Sequence, residues 1–150
     1  MIREPAERRP YPLTPREVAA ELDRVYAEEV EAAMRYFHLL GAVRGLDRLT
    51  VEPILKEAFQ ETIQHAETIG RKIRALGFVP RLEVNVSCPP EPMTAREALR
   101  TALTFEEAAL EAYQDVLTRI EGDVPLEEFI RSQIAVESEH VAQLKELLAG

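Results

Sequence analysis

The sequence predicts an all-α domain, a four-helix bundle made of two antiparallel hairpins joined by one long crossover. Three observations carry this. The ten prolines are bunched, and they leave four long stretches rich in Ala, Leu, Glu and Arg, the strong helix formers. Start signals precede these stretches, and Gly45, Gly77 and Gly122 follow them where helices stop. No segment reads as a convincing strand; Leu82–Val86 alternates but is short and boxed in by prolines.

Residues 1–13 form a charged, proline-broken arm, and 14–150 form the bundle domain. Helix α1 is expected over 15–44. Thr14-Pro15-Arg16-Glu17 supplies an N-cap, a proline at the first helical position and the Glu of a capping box. Helix α2 is expected over 51–77, with its start read from Thr50, Glu52 and Pro53. The connection 78–93 is too long for a turn and long enough to climb the bundle. Helix α3, 95–121, opens on a second capping box, Thr94 to Glu97. Helix α4, 125–149, opens on Asp123 and Pro125.

Composition limits what such a bundle can do. The chain has 150 residues, 46% hydrophobic and 30% charged, enough for one domain with its own core. A formal charge of −9 argues against nucleic acid and favours cations. No apolar run is long enough for a membrane span, and MIREPAERRP lacks a signal-peptide core. With Cys88 alone, no internal disulfide can form, and a reducing cytoplasm is the expected compartment. Cys88 itself reads as an ordinary loop thiol.

The apolar stripes contain charges. On α1 the stripe runs Leu22, Val25, Glu29, Ala32, Tyr36, Leu39, Val43, with steps of three and four. On α3, Glu106 lies amid Leu99, Leu103, Leu110, Tyr113 and Leu117. On α4, Glu137 lies amid Ile130, Ile134, Val141 and Leu144, with His140 beside it. On α2, His65 follows Ile54 and Ala58, and Glu61 and Thr62 flank the centre. Glu28, Glu107 and Glu139 point about 100° away from the proposed site and read as solvated. His38 lies on the opposite face from Glu29 and has no metal role. Buried carboxylates cost several kcal/mol each and repel one another unless metal neutralises them. Carboxylate with imidazole suits iron or manganese, with zinc as a further candidate. The halves also echo: Glu29 precedes Tyr36 by seven residues and Glu106 precedes Tyr113 by seven, so the second hairpin repeats the first. Tyr36 and Tyr113 are either core aromatics or groups that orient the carboxylates.

Four segments in order, Glu29-Val-Glu-Ala-Ala-Met-Arg-Tyr36-Phe37, His65-Ala66-Glu67, Glu106-Glu-Ala-Ala-Leu-Glu-Ala-Tyr113 and Glu137-Ser-Glu-His140, resemble the bacterioferritin and ferritin-like diiron-carboxylate family over residues 15–149. The resemblance implies a ferritin-like bundle with Glu29, His65, Glu106, Glu137 and His140 at ligand positions of two irons. Each metal would have an outer Glu, and two Glu would bridge the pair. The family expects a bridging Glu three residues before His65, where this chain has Thr62; Glu61 stands four before. If both metals bind, Glu61 is expected among the ligands, through a one-residue π-bulge between it and His65. If α2 is regular and Glu61 faces solvent, the centre has one carboxylate fewer and holds its second metal weakly. Ile63 replaces the methionine that binds haem in bacterioferritins, so no haem is expected. Ten residues follow His140, too few for the short helix that helps close the family's 24-subunit shell.

The implied activity is that of a haem-free ferritin-like protein, a ferroxidase-type oxidoreductase that takes Fe(II) to Fe(III) with dioxygen or peroxide for storage or detoxification. The alternatives are a small dimeric diiron oxidase or peroxidase without storage, and a structural bundle with a weakened site. No Cys-x-x-Cys module supports rubrerythrin-like electron transfer. The family packs α1 and α2 of two subunits in a two-fold dimer, and Val18, Phe37, Leu40 and Phe105 look available for that contact. A homo-oligomer, at least a dimer, is expected.

Overall fold

The structure is a computed structural model that describes residues 13–150. The N-terminal arm therefore lies outside the described residues except for Leu13, which packs against the core. Four helices follow in order: α1 Pro15–Ala42, α2 Asp47–Ala75, α3 Ala95–Arg119 and α4 Val124–Leu148. No strand forms among the described residues; Val43 and Met93 make one isolated parallel bridge.

The caps act largely as the sequence expects. Thr14 and Glu17 complete a reciprocal capping box at α1. Thr94 accepts from the Glu97 amide at α3, and Asp123 accepts from the Leu126 amide at α4. Gly45 and Gly122, at the hinges of the two hairpins, take positive φ of 69° and 103°, which a side chain would disfavour.

The start of α2 differs from the expectation. The helix begins at Asp47 with no side-chain cap, and Pro53 lies inside it. The amide hydrogen that Pro53 lacks would have met the carbonyl of Leu49, four residues back. Leu49 is exposed, so water can serve that carbonyl and the helix tolerates the loss. Asp47 instead links two helices. Its carboxylate accepts from the Ala95 amide, pinning the start of α3 to the start of α2.

Helix α1 packs against α2 and α3, and α3 packs against α4 and more lightly against α2. The backbones of α2 and α4 make no close approach, which leaves a groove between them. The crossover 78–93 runs along α1 on a ladder of its side chains. Asp23 accepts from the Arg81 amide, Glu31 accepts from the Asn85 amide, and His38 Nε2 meets the Pro89 carbonyl at 2.8 Å. Positions 23, 31 and 38 recur at near-heptad spacing, so one face of α1 straps the whole connection. The interior has two apolar clusters. One gathers Leu22, Val25, Ile69, Tyr113 and Ile130; the other gathers Tyr36, Leu39, Leu55, Phe105 and Leu144. Each fully buried aliphatic chain contributes about 1.5–3 kcal/mol. The charged level lies between these clusters.

Candidate metal centre

Glu29, Glu106 and Glu137 are all buried, at 1%, 3% and 2% exposure. They occupy the middle of the apolar stripes of α1, α3 and α4 because helical periodicity leaves those positions no other direction. His65 and His140 stand beside them, partly buried. Two groups form with one member in common. Glu29, His65 and Glu137 make the first; Glu106, Glu137 and His140 make the second. In each group one donor atom per residue lies within 4.8 Å of the others, a spacing one metal ion can span. His65 Nδ1 is 3.7 Å from Glu29 and 3.5 Å from Glu137. His140 Nδ1 is 3.8 Å from both Glu106 and Glu137.

Two tyrosines brace the outer carboxylates across the hairpins. The Tyr113 hydroxyl donates to Glu29 at 2.6 Å, and the Tyr36 hydroxyl donates to Glu106. The bonds are reciprocal, from α3 to α1 and from α1 to α3, and they are the structural form of the seven-residue echo. Each hydroxyl is held far above its ordinary pKa, by burial first and by the facing carboxylates next. Both tyrosines therefore remain proton donors to the carboxylates.

Without metal the imidazoles and carboxylates of the centre face one another at 3.5–3.8 Å and shift one another's titration. His65 and His140 are both raised to about 10 by their carboxylate partners, Glu137 and Glu29 for the first and Glu106 and Glu137 for the second. Burial pushes Glu137 up. Burial would push Glu106 up too, but its contacts with His140, Glu137 and Tyr36 prevail and hold it low. Even so, His65 Nδ1 and Glu137 Oε2 are buried without a hydrogen-bond partner. Orphaned buried donors and acceptors are costly. Here both orphans point where a cation would satisfy them, and the mixed oxygen and nitrogen donors suit iron, manganese or zinc. The residues fit such an ion.

Helix α2 corrects the expected bulge. It is α-helical without interruption from Asp47 to Ala75. Thr62 is buried, and its hydroxyl donates to the Ala58 carbonyl at 2.7 Å, so it serves its own helix. Glu61 belongs to neither group. It reaches across the groove and meets His140 Nε2 at 2.8 Å, on the far side of the ring from the carboxylates.

Other positions shift as well. Val18 and Phe105, expected to face a partner, are core residues, and Phe105 packs edge-on against Tyr36. Phe37 is exposed and Leu40 partly so. Glu28 is partly buried and its carboxyl is raised, burial being the main cause, whereas Glu107 and Glu139 are exposed. Sequence reasoning missed Glu21, which is buried 3.8 Å from Arg119 of α3. It also missed the groove, a cavity of about 530 Å³ that runs from Leu147 to His65, His140, Glu61 and Tyr36.

Residues 19–150 match the family described as the ferritin-like domain. No curated protein matches the chain. Among solved structures it is similar to a ferritin-like, diiron-carboxylate protein from Bacillus anthracis str. Ames, with TM-score 0.78 and 24% identity over 90% of this chain and 97% of that one. It is similar to a bacterioferritin-related protein from Bacteroides fragilis, described as a dodecameric thioferritin, with TM-score 0.77 and 23% identity over 91% and 87%. A Dps protein from Bacillus brevis gives TM-score 0.79 and 15% identity over 90% and 97%. These likenesses establish a shared fold. The match across residues 19–150 means that the chain belongs to the ferritin-like domain family.

Proposed function

We propose, starting from that membership, that the chain binds two irons and oxidises Fe(II) to Fe(III) with dioxygen or peroxide, as a haem-free protein of iron storage or detoxification. The observation that carries this is the pair of buried groups, Glu29–His65–Glu137 and Glu106–Glu137–His140, with one carboxylate in common. A shared carboxylate keeps two cations side by side, as a two-electron oxidant requires. Two Fe(II) give one electron each. Dioxygen with two protons then leaves as hydrogen peroxide, or peroxide with two protons leaves as two waters.

The chain's own residues set the terms. Glu29 and Glu106, fixed by Tyr113 and Tyr36, hold the outer sides. Carboxylate oxygens and imidazole nitrogens favour the ferric product, the more highly charged ion. The apolar clusters above and below flank the centre, and the groove between α2 and α4 leaves its histidine side open to small reactants. We place the chain in at least a two-fold homodimer, an assembly supported by the exposed Phe37 and by relatives that include a protein described as dodecameric. The alternative, a small diiron oxidase or peroxidase without storage, is favoured by the 530 Å³ groove that opens onto both histidines and has the volume of a small-molecule site.

The test is Fe(II) addition to the metal-free protein under air and with peroxide. Oxidation well above the protein-free rate, lost in Glu137→Ala, is the expected result. A rate equal to the protein-free control with both oxidants overturns the reading. Ferric material that stays with the protein at many irons per chain marks storage; a plateau near two marks the oxidase.

A further inference from the structure

The two metal-binding groups have matching ligands but unequal support. We propose that Glu61 is a positioning residue that holds His140 from behind, which makes the Glu106–Glu137–His140 position the tighter of the two. This rests on the metal-centre reading above.

An imidazole has two nitrogens, and a metal takes one. The other normally donates to a carboxylate, carbonyl or water, which fixes the tautomer and the ring's direction. Glu61 Oε2 meets His140 Nε2 at 2.8 Å, a hydrogen-bond distance. That contact keeps a proton on Nε2 and turns Nδ1 towards Glu106 and Glu137. Glu61 can do this because α2 is regular. Four residues before His65 it projects towards the groove and α4, while Thr62, three before, is tied to its own helix.

Among the described residues, nothing equivalent supports His65. The matching position on α4, four residues before His140, is Val136, an apolar side chain on the same groove wall. Thr62 offers no second bridging carboxylate. So one position has three ligands and a backed histidine, and the other has three ligands alone. The residue pattern around the centre of α2 thus produces an unequal pair.

The charge on Glu61 separates positioning from ligation. A carboxylate bridging two cations works through its negative charge, whereas a carboxylate holding an N–H needs only an acceptor oxygen, which glutamine retains. The side chain of Glu61 is 39% exposed, so its replacement leaves the core intact. The experiment titrates Co(II) into the metal-free parent, Glu61→Ala and Glu61→Gln, followed by calorimetry and by visible absorption. The parent should bind two equivalents in two unequal steps. Glu61→Ala should still bind two, with the tighter step weakened about 10- to 100-fold, the usual cost of losing such support. Glu61→Gln should stay close to the parent. Loss of one equivalent in both variants would make Glu61 a ligand and overturn the proposal. Parental behaviour of Glu61→Ala would also overturn it and leave the metal centre standing. A parent that takes up no Co(II) would remove the metal centre itself, and this proposal with it.

Discussion

Glu137 turns one oxygen to each histidine, Oε1 to His65 at 3.5 Å and Oε2 to His140 at 3.8 Å. Removing it should therefore cost both metals, whereas Glu29→Ala or Glu106→Ala should cost chiefly one. Elemental analysis of the three variants after equal loading decides this, and Glu137→Ala retaining a full complement would refute the shared role. The histidines set the pH dependence. With both raised to about 10 in the metal-free protein, each is an imidazolium at neutral pH. A metal needs the Nδ1 lone pair, so binding must displace that proton, while the proton on His140 Nε2 stays with Glu61. Lower pH adds competing protons, so affinity should fall as pH falls from about 9 to 6. Calorimetry in buffers of different ionisation enthalpy should find about one proton released per histidine. Uptake that releases none would show the histidines to be neutral or uninvolved.

At the scale of the helix, most of α1, α3 and α4 was legible in the sequence because their signals are local. A Thr or Asp cap serves amides three residues away, and a stripe of three- and four-residue steps needs only a regular helix. The ligand candidates were legible for a similar reason: Glu29, Glu106, Glu137 and His65 interrupt apolar stripes, and His140 stands three residues after Glu137 at the edge of one. Helix α2 was harder. Its start has no side-chain cap, and Pro53 mimics a first-turn proline while standing deeper in the helix. The place of Glu61 depends on a histidine seventy-nine positions away across a groove, and no local pattern contains that distance. The ladder that His38 helps to form is equally long-range. The register of α2 can be tested directly. Thr62→Glu puts a carboxylate three residues before His65, on the buried side. Without metal it adds a buried charge and should lower the melting temperature; each kcal/mol lost corresponds to roughly 2–4 °C in a chain of this size. With metal it should supply the missing bridge and strengthen the weaker binding step. Unchanged affinity in the variant would mean that position 62 does not face the metals.

For the whole molecule the question is what covers the outer face of α1 and α2. Phe37 is 68% exposed, with its ring 5.9 Å from that of Phe59 on α2, and Met34 and Ile63 are exposed on the same two helices. Apolar groups gathered on one face of a monomer signal a partner. A second copy is the partner proposed above, and a two-fold axis would set the same patch against itself. The net charge of −9 opposes that pairing, because two such chains repel. Salt screens the repulsion over about 8–10 Å and leaves apolar contact in place. Association should therefore strengthen as salt rises from about 0.01 M to 0.15 M, opposite to the trend for an interface built on ion pairs. Phe37→Glu adds a charge to the patch and removes an aromatic ring, and should weaken the dimer without touching the metal groups, since Phe37 points outward while Tyr36 points in. Sedimentation velocity at micromolar concentration measures both effects, and Co(II) titration of the same sample confirms that the centre is intact. A parent protein that sediments as a monomer at every salt concentration would refute the assembly, and a Phe37→Glu variant that dimerises like the parent would move the interface to another face.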